Sequence, residues 1–257
     1  MPIPPGELIV RYNNLSTTLD GGAVVPVSVH NYACAWYGSG QADRRAYRER
    51  LYHACRSNLL GMTGVEFSQV FDGGGSVENI AKCLRLAARY RIYFHAGPPA
   101  GAPPGLDERS GVRRVTDAYI GLDCTGFVGN WVRVSGLPHA SVSRPPLDWL
   151  THGHLVSDLA AVRAYDLIVW VTGVHITVIA DALPVAPGSN TRHLTVCESA
   201  AGGLQKGPYT LRHLETPRTL HVQRHGLVME ERTTVFEIDA HRHGNQVPVY
   251  ILRYQGL

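Results

Sequence analysis

The sequence has no paired cysteines. Its five, Cys34, Cys55, Cys83, Cys124 and Cys197, are odd in number and form no CxxC, which argues against a disulfide framework and a cysteine zinc site and for free thiols. It has little excess charge of either sign: 24 Lys and Arg against 21 Asp and Glu give +3, too small to argue for nucleic acid, and no block of like charge forms an arm or tail. The slight excess of Arg is compatible with an anionic substrate. No stretch reaches the about 18 apolar residues of a membrane span. MPIPPGELIV lacks a basic region followed by an apolar run, so the expectation is synthesis in a reducing cytoplasm without a cleavable signal peptide. Work outside the cell would then need dedicated secretion or phage delivery machinery, a route with which an immunity partner is compatible, while work in the cytoplasm suits the same absence equally. No fixed-period repeat is visible. What remains is an ordinary globular composition, 44% apolar and 18% charged over 257 residues, long enough for one large domain with a small extension.

In chain order, residues 7–12 (ELIVRY) and 23–30 (AVVPVSVH) read as two short strands around the turn-rich LSTTLDGG, with Pro26 demoting the second to an edge or bulge. Residues 41–60 read as a helix with Ala42, Ala46, Leu51, Ala54, Cys55 and Leu59 on one face and Gly61 as its stop. A second helix is predicted from Val77 to Arg91, capped by Ser76, with Ile80, Cys83, Leu84, Ala87 and Ala88 as its apolar stripe. Prolines and glycines interrupt His95 to Gly111 throughout, which reads as an irregular loop that is functional or mobile and could border a cleft. After a third helix beginning at Cys124, Gly136 and Pro138 stop the pattern and the chain reads as loop to about Thr151. From Asp166 it turns β: DLIVWV, HITVIAD and HLTVCES, then TLHVQ, TTVFEID and VPVYILRY. Helices followed by β runs with short turns indicate an α+β architecture with an antiparallel sheet.

The chemistry centres on Tyr119 to Val134, YIGLDCTGFVGNWVRV. Asp123, Thr125 and Gly126 are turn and cap types, and Phe127, Val128, Trp131 and Val132 follow at helical spacing. Cys124 is therefore expected at a helix N-terminus, where unpaired N–H groups and the positive end of the macrodipole favour a thiolate. The competing reading is a buried cysteine acting as a small hydrophobe. His175 opens a strand on which His175, Thr177 and Ile179 share a face. Glu198, on the next strand, is the candidate to orient its imidazole, as nucleophilic cysteine catalysis requires; the alternative is a solvent-facing carboxylate near a strand end. Two HxH pairs, His152 with His154 and His241 with His243, have no fixed partner ligand and read as solvated loop histidines.

LDCTGFV followed by a helix, then AYDLIVW, GVHITVIAD and VCESAAG in that order, resembles the NlpC/p-sixty family of papain-like cysteine peptidases, many of which cut bacterial cell-wall peptides. The resemblance covers about residues 77–200 and implies a papain-like fold, with N-terminal helices packed on an antiparallel sheet, over residues 76–257, preceded by an extension over residues 1–75. It implies Cys124 as nucleophile, His175 as base and Glu198 as the third group. Tyr93 would assist oxyanion or substrate binding together with Asp123 and Thr125, with no metal or cofactor. Three positions depart from the family pattern: Tyr165 stands where Gly is common before Asp166, HITVI replaces HVGIY, and Thr125 replaces Ser. The implied activity is cleavage of an amide in peptide or peptidoglycan through a thioester. Transfer of the same thioester to an amine or alcohol, or a silent binding module of a phage or secretion apparatus, are the other classes the sequence leaves open.

Overall fold

The computed structural model describes residues 1–32, 41–96, 107–138, 145–214, 218–224, 227–233, 236–239 and 246–257, with backbone only for 218–224 and 227–233. The chain forms two compact units: Ile9–Gly126 with Ser199–Leu204, and Met1–Leu8, Phe127–Glu198 and Gln205–Leu257. A boundary thus falls at Gly126/Phe127, whereas the family resemblance places one between residues 75 and 76.

The first unit is mostly helical. ELIVRY is helix and not strand: it lies within α1 (Pro5–Asn13). Pro5 at the first helical position presets φ and lacks an N–H that would be unpaired there anyway. Leu8, Ile9 and Tyr12 are buried while Val10 is exposed, a helical spacing that so short an apolar run does not distinguish from a strand. The LSTT read as turn is β1 (Leu15–Thr18), paired antiparallel with β2 (Val24–Val27) so that Ser16 faces Pro26. Each strand of a two-stranded ribbon keeps a free edge, which is where proline is tolerated. The helix α2 (Gln41–Cys55) buries Leu51 and Cys55 of the expected face, with Tyr47 in place of the alanines Ala42, Ala46 and Ala54, which are exposed, and stops short of Leu60. Leu60 and Gly61 take φ 54° and 80°.

Next comes α3 (Gly64–Phe71), closed by a capping box in which the Thr63 hydroxyl accepts from Glu66 N–H and the Glu66 carboxylate from Thr63 N–H. α4 (Val77–Arg89) starts where the sequence places it: Ser76 Oγ accepts from Asn79 N–H, and Ile80, Cys83, Leu84, Ala87 and Ala88 are buried. The stretch expected to be irregular up to Gly111 is helical from α5 (Glu108–Tyr119), with Asp107 accepting from Ser110 N–H; residues 97–106 of that stretch lie outside the described residues. α6 (Cys124–Val134) begins at Cys124.

The other unit corrects the expected fold. After a 3-10 helix, Pro146–His152, where a loop was predicted, come β3 (Gly153–Leu155), β4 (Leu167–Trp170), β5 (Ile176–Ala182), β6 (Thr191–Ala200), β7 (Gly203–His213), β8 (Arg218–Arg224), β9 (Leu227–Thr233), β10 (Phe236–Asp239) and β11 (Gln246–Tyr254). The strand order is β10-β7-β6-β5-β4-β11-β3, and β10 also pairs with β11. That last pairing closes six strands into a barrel, so the architecture is α+β with a closed antiparallel barrel and separate helices, not the papain-like arrangement of helices on a sheet. The β8–β9 ribbon stands apart.

Closure has local causes. Ile179 pairs with Val196 but Asp181 with Thr195, a bulge at the intervening residue that bends and twists β5 in the sense a barrel needs. The interior is filled by alternate residues of each strand, among them Ile168, Ile179, Val196, Leu211, Phe236 and Ile251. Asp166, fully buried, holds a bidentate pair with Arg253, both bonds 2.9 Å. The preceding Tyr165 takes φ 76°. That left-handed conformation is open to glycine without steric cost, which explains why Gly suits this position and why Tyr here is strained.

Candidate functional site

Register brings the histidine and the carboxylate together inside the barrel unit. Ile168 pairs with Thr177 and, one pair further along the same face, the Trp170 N–H bonds the His175 carbonyl at 3.0 Å. Val178 pairs with Cys197, so the next step of that ladder faces Thr177 with Glu198 and leaves His175 diagonal to the carboxylate, a neighbour on the same face. Ile168, Ile179 and Val196 mark that face as interior. His175 Nε2 lies 2.8 Å from Glu198 Oε2, with side-chain exposures of 13% and 3%. The ring of Trp170 meets that of His175 edge-on, centroids 4.6 Å apart. On the other oxygen, Glu198 Oε1 accepts from the Tyr209 hydroxyl and from Gln205 Nε2, each at 2.5 Å.

The electrostatics follow from these contacts. Burial alone would push the Glu198 carboxyl up, but the hydrogen bond and charge of His175, with the Tyr209 and Gln205 donors, outweigh it and hold the group below its ordinary value. A carboxylate accepts only, so Nε2 carries the ring proton in neutral His175 and Nδ1 is left as the acceptor. Thr177 Oγ1 on the same face is buried and has no hydrogen-bond partner among the described residues.

Cys124 belongs to the helical unit. Asp123 caps its helix: Oδ1 accepts from Gly126 N–H and, at 3.0 Å, from the Thr125 hydroxyl. Asp123 N–H donates to the Gly73 carbonyl at 3.0 Å, and a Cβ on Gly126 would stand 1.9 Å from that same oxygen. The glycine of the DCTG motif is there because the DGGG turn crosses the helix start. Leu122, two residues before the cysteine, is tied by its N–H to Asn31 and by its carbonyl to the Ser199 hydroxyl at 2.6 Å. Cys124 is in no disulfide and is 4% exposed.

Of the predicted residues, the structure pairs His175 with Glu198 and sets Asp123, Cys124 and Thr125 at one helix start. Asp123 and Thr125 are engaged with each other and with the helix end. Tyr93, in the same unit, lies with its ring against Gly111, where a Cβ would come within 2.5 Å, and its buried hydroxyl has no hydrogen-bond partner among the described residues. Tyr209, Gln205 and Trp170 were not foreseen. GLQKGPYTLRH was not recognised as a strand because Gly207 and Pro208 interrupt it; the alternation of Tyr209 with Leu211, both buried, was the available signal.

Burial pushes the thiols of Cys55 and Cys197 to about 11 and that of Cys83 well up, while Cys34 lies outside the described residues. His154 is exposed on β3 and His152 half-buried; His241 and His243 lie outside the described residues. Among the described residues no group of three His, Cys, Asp or Glu is placed to hold a metal ion, and no helix is long and apolar enough to cross a membrane. Comparison of the chain with protein-family models, curated proteins and solved structures gave no match.

Proposed function

We propose that the chain is a cysteine hydrolase that cleaves an amide bond, with peptides of the bacterial cell wall as its substrate class. The observation that carries the reading is the part-buried 2.8 Å contact of His175 Nε2 with Glu198, an imidazole oriented by a carboxylate that leaves Nδ1 to move a proton. The residue motifs around Cys124, His175 and Glu198 support it. His175 Nδ1 takes the Cys124 thiol proton, and Sγ, as thiolate, attacks the amide carbonyl and forms the S–C bond as the carbonyl oxygen takes the negative charge. His175 then gives its Nδ1 proton to the leaving amine as the C–N bond breaks. Water adds to the thioester as His175 takes its proton, and the thiolate leaves as the carboxylic acid product forms.

Alkylation of Cys124 by iodoacetamide across pH, followed by mass spectrometry in wild type and His175→Ala, tests the pair. Cys124 is expected to react well below pH ~8.5, the range of an ordinary thiol, and to lose that reactivity without His175. The buried Cys55, Cys83 and Cys197 serve as slow internal standards in the same digest. A Cys124 no more reactive than these, or indifferent to His175, would refute the reading. Digestion of purified peptidoglycan by wild type and Cys124→Ala, with analysis of the released ends, then tests the substrate class: new amine and carboxyl termini with wild type alone are expected, and intact peptides would exclude it.

A further inference from the structure

We propose that Tyr209 is a positioning residue that fixes the Glu198 carboxylate on His175 Nε2, with Gln205 as its second anchor; the inference rests on the reading of His175 as the proton-transfer group. A carboxylate held only by a histidine can rotate about its last torsion and offer either oxygen. Here the rotation is blocked because Oε1 is occupied by two donors, the Tyr209 hydroxyl and the Gln205 amide. Tyr209 is itself immobilised: its ring belongs to the barrel core and is 7% exposed. A buried tyrosine hydroxyl needs a partner, and Glu198 supplies it. The chain of contacts therefore runs from the barrel core through Tyr209 and Glu198 to the ring of His175, whose orientation Trp170 supports from the side. Gln205 is the weaker anchor because it is only half-buried.

Tyr209→Phe keeps the ring and removes only the hydroxyl. Carbon-13 and nitrogen-15 NMR of the full chain would follow the Glu198 carboxyl and the His175 imidazole across pH. Loss of a donor to the charged form is expected to move the Glu198 titration up by about one pH unit and to turn a single Nε2–H tautomer of His175 into a mixture. The acid limb of the Cys124 alkylation profile is expected to move up with it, whereas a merely structural loss would lower the rate at all pH values without moving the limb. A folded Tyr209→Phe whose Glu198 titration and His175 tautomer match wild type would overturn the proposal. Should that variant fail to fold, 3-fluorotyrosine at position 209 keeps the hydroxyl and makes it a stronger donor. Glu198 should then titrate lower, and no movement would overturn the proposal equally. If Cys124 alkylates alike with and without His175, the proposed function falls, and the Glu198 titration still decides what Tyr209 does.

Discussion

Two buried carboxyl groups respond to their surroundings in opposite senses. Glu198 is held below its ordinary value because donors on both oxygens outweigh the burial that would raise it. Its ionised form therefore stabilises the fold above the unfolded value of about 4.3, and that contribution is lost as pH falls through the folded value. Glu198→Ala would remove the acceptor of the buried Tyr209 hydroxyl and of the half-buried Gln205 amide, and should cost about 1–3 kcal/mol at pH 7. Urea titrations of both forms should show the difference shrinking below about pH 4. Asp123 is raised to about 7, chiefly by burial, against the opposing bonds from Gly126 and Thr125 and with the charge of Asp72 adding to it. Here the neutral form is the stabilised one: the contribution is complete below about pH 4 and disappears as pH rises through 7. Asp123→Asn retains an acceptor for Gly126 N–H and cannot ionise. Its melting temperature should exceed that of wild type at pH 8, by on the order of 2–4 kcal/mol in stability, and converge with it near pH 4. Cap residues such as Ser76 and Asp123 are legible in a sequence because their function is local. The packing of Tyr93 against Gly111 and the anchors of Glu198 are not, because their neighbours are remote in the chain.

At the scale of elements, α6 shows how a helix start can be fixed from outside. Its cap comes from Asp123, but its position comes from the Gly73 carbonyl, which receives Asp123 N–H and leaves no room for a side chain at residue 126. Gly126→Ala should cost about 1–3 kcal/mol through overpacking. Gly136→Ala, past the end of the helix, meets nothing within 4 Å and should cost only the roughly 1 kcal/mol of a left-handed alanine. Thermal melts of the two variants would separate crowding from backbone strain. The failures of sequence reading at this scale have a common cause. In α1 an apolar run is compatible with either period, and only the burial of Leu8, Ile9 and Tyr12 against an exposed Val10 decides for the helix. In α5 the glycine at 111 argued against a helix, and only the ring of Tyr93 lying against it explains why a glycine is there.

The barrel is the property of the whole β-rich unit. Six strands close only because β10, four residues long, pairs on both sides, with β7 through Phe236–His213 and with β11 through Phe236–Val249. Phe236 is fully buried in the interior. Phe236→Ala should lower stability by about 3–5 kcal/mol, whereas Leu183→Ala, at a residue 54% exposed, should stay within about 0.5 kcal/mol; urea midpoints would measure both. By itself the sequence determined the α-then-β order, the cap and stripe of α4, the start of α6 at Cys124, and the common face of His175, Thr177 and Ile179, because periodicity and capping depend on residues within a few positions of one another. Tertiary structure alone decided that the strands close into a barrel, that Glu198 turns inward onto His175, and that Tyr209 and Gln205 hold it there. Those outcomes depend on register between strands and on the pairing of β10 with β11, contacts whose partners are distant in the chain and leave no local pattern.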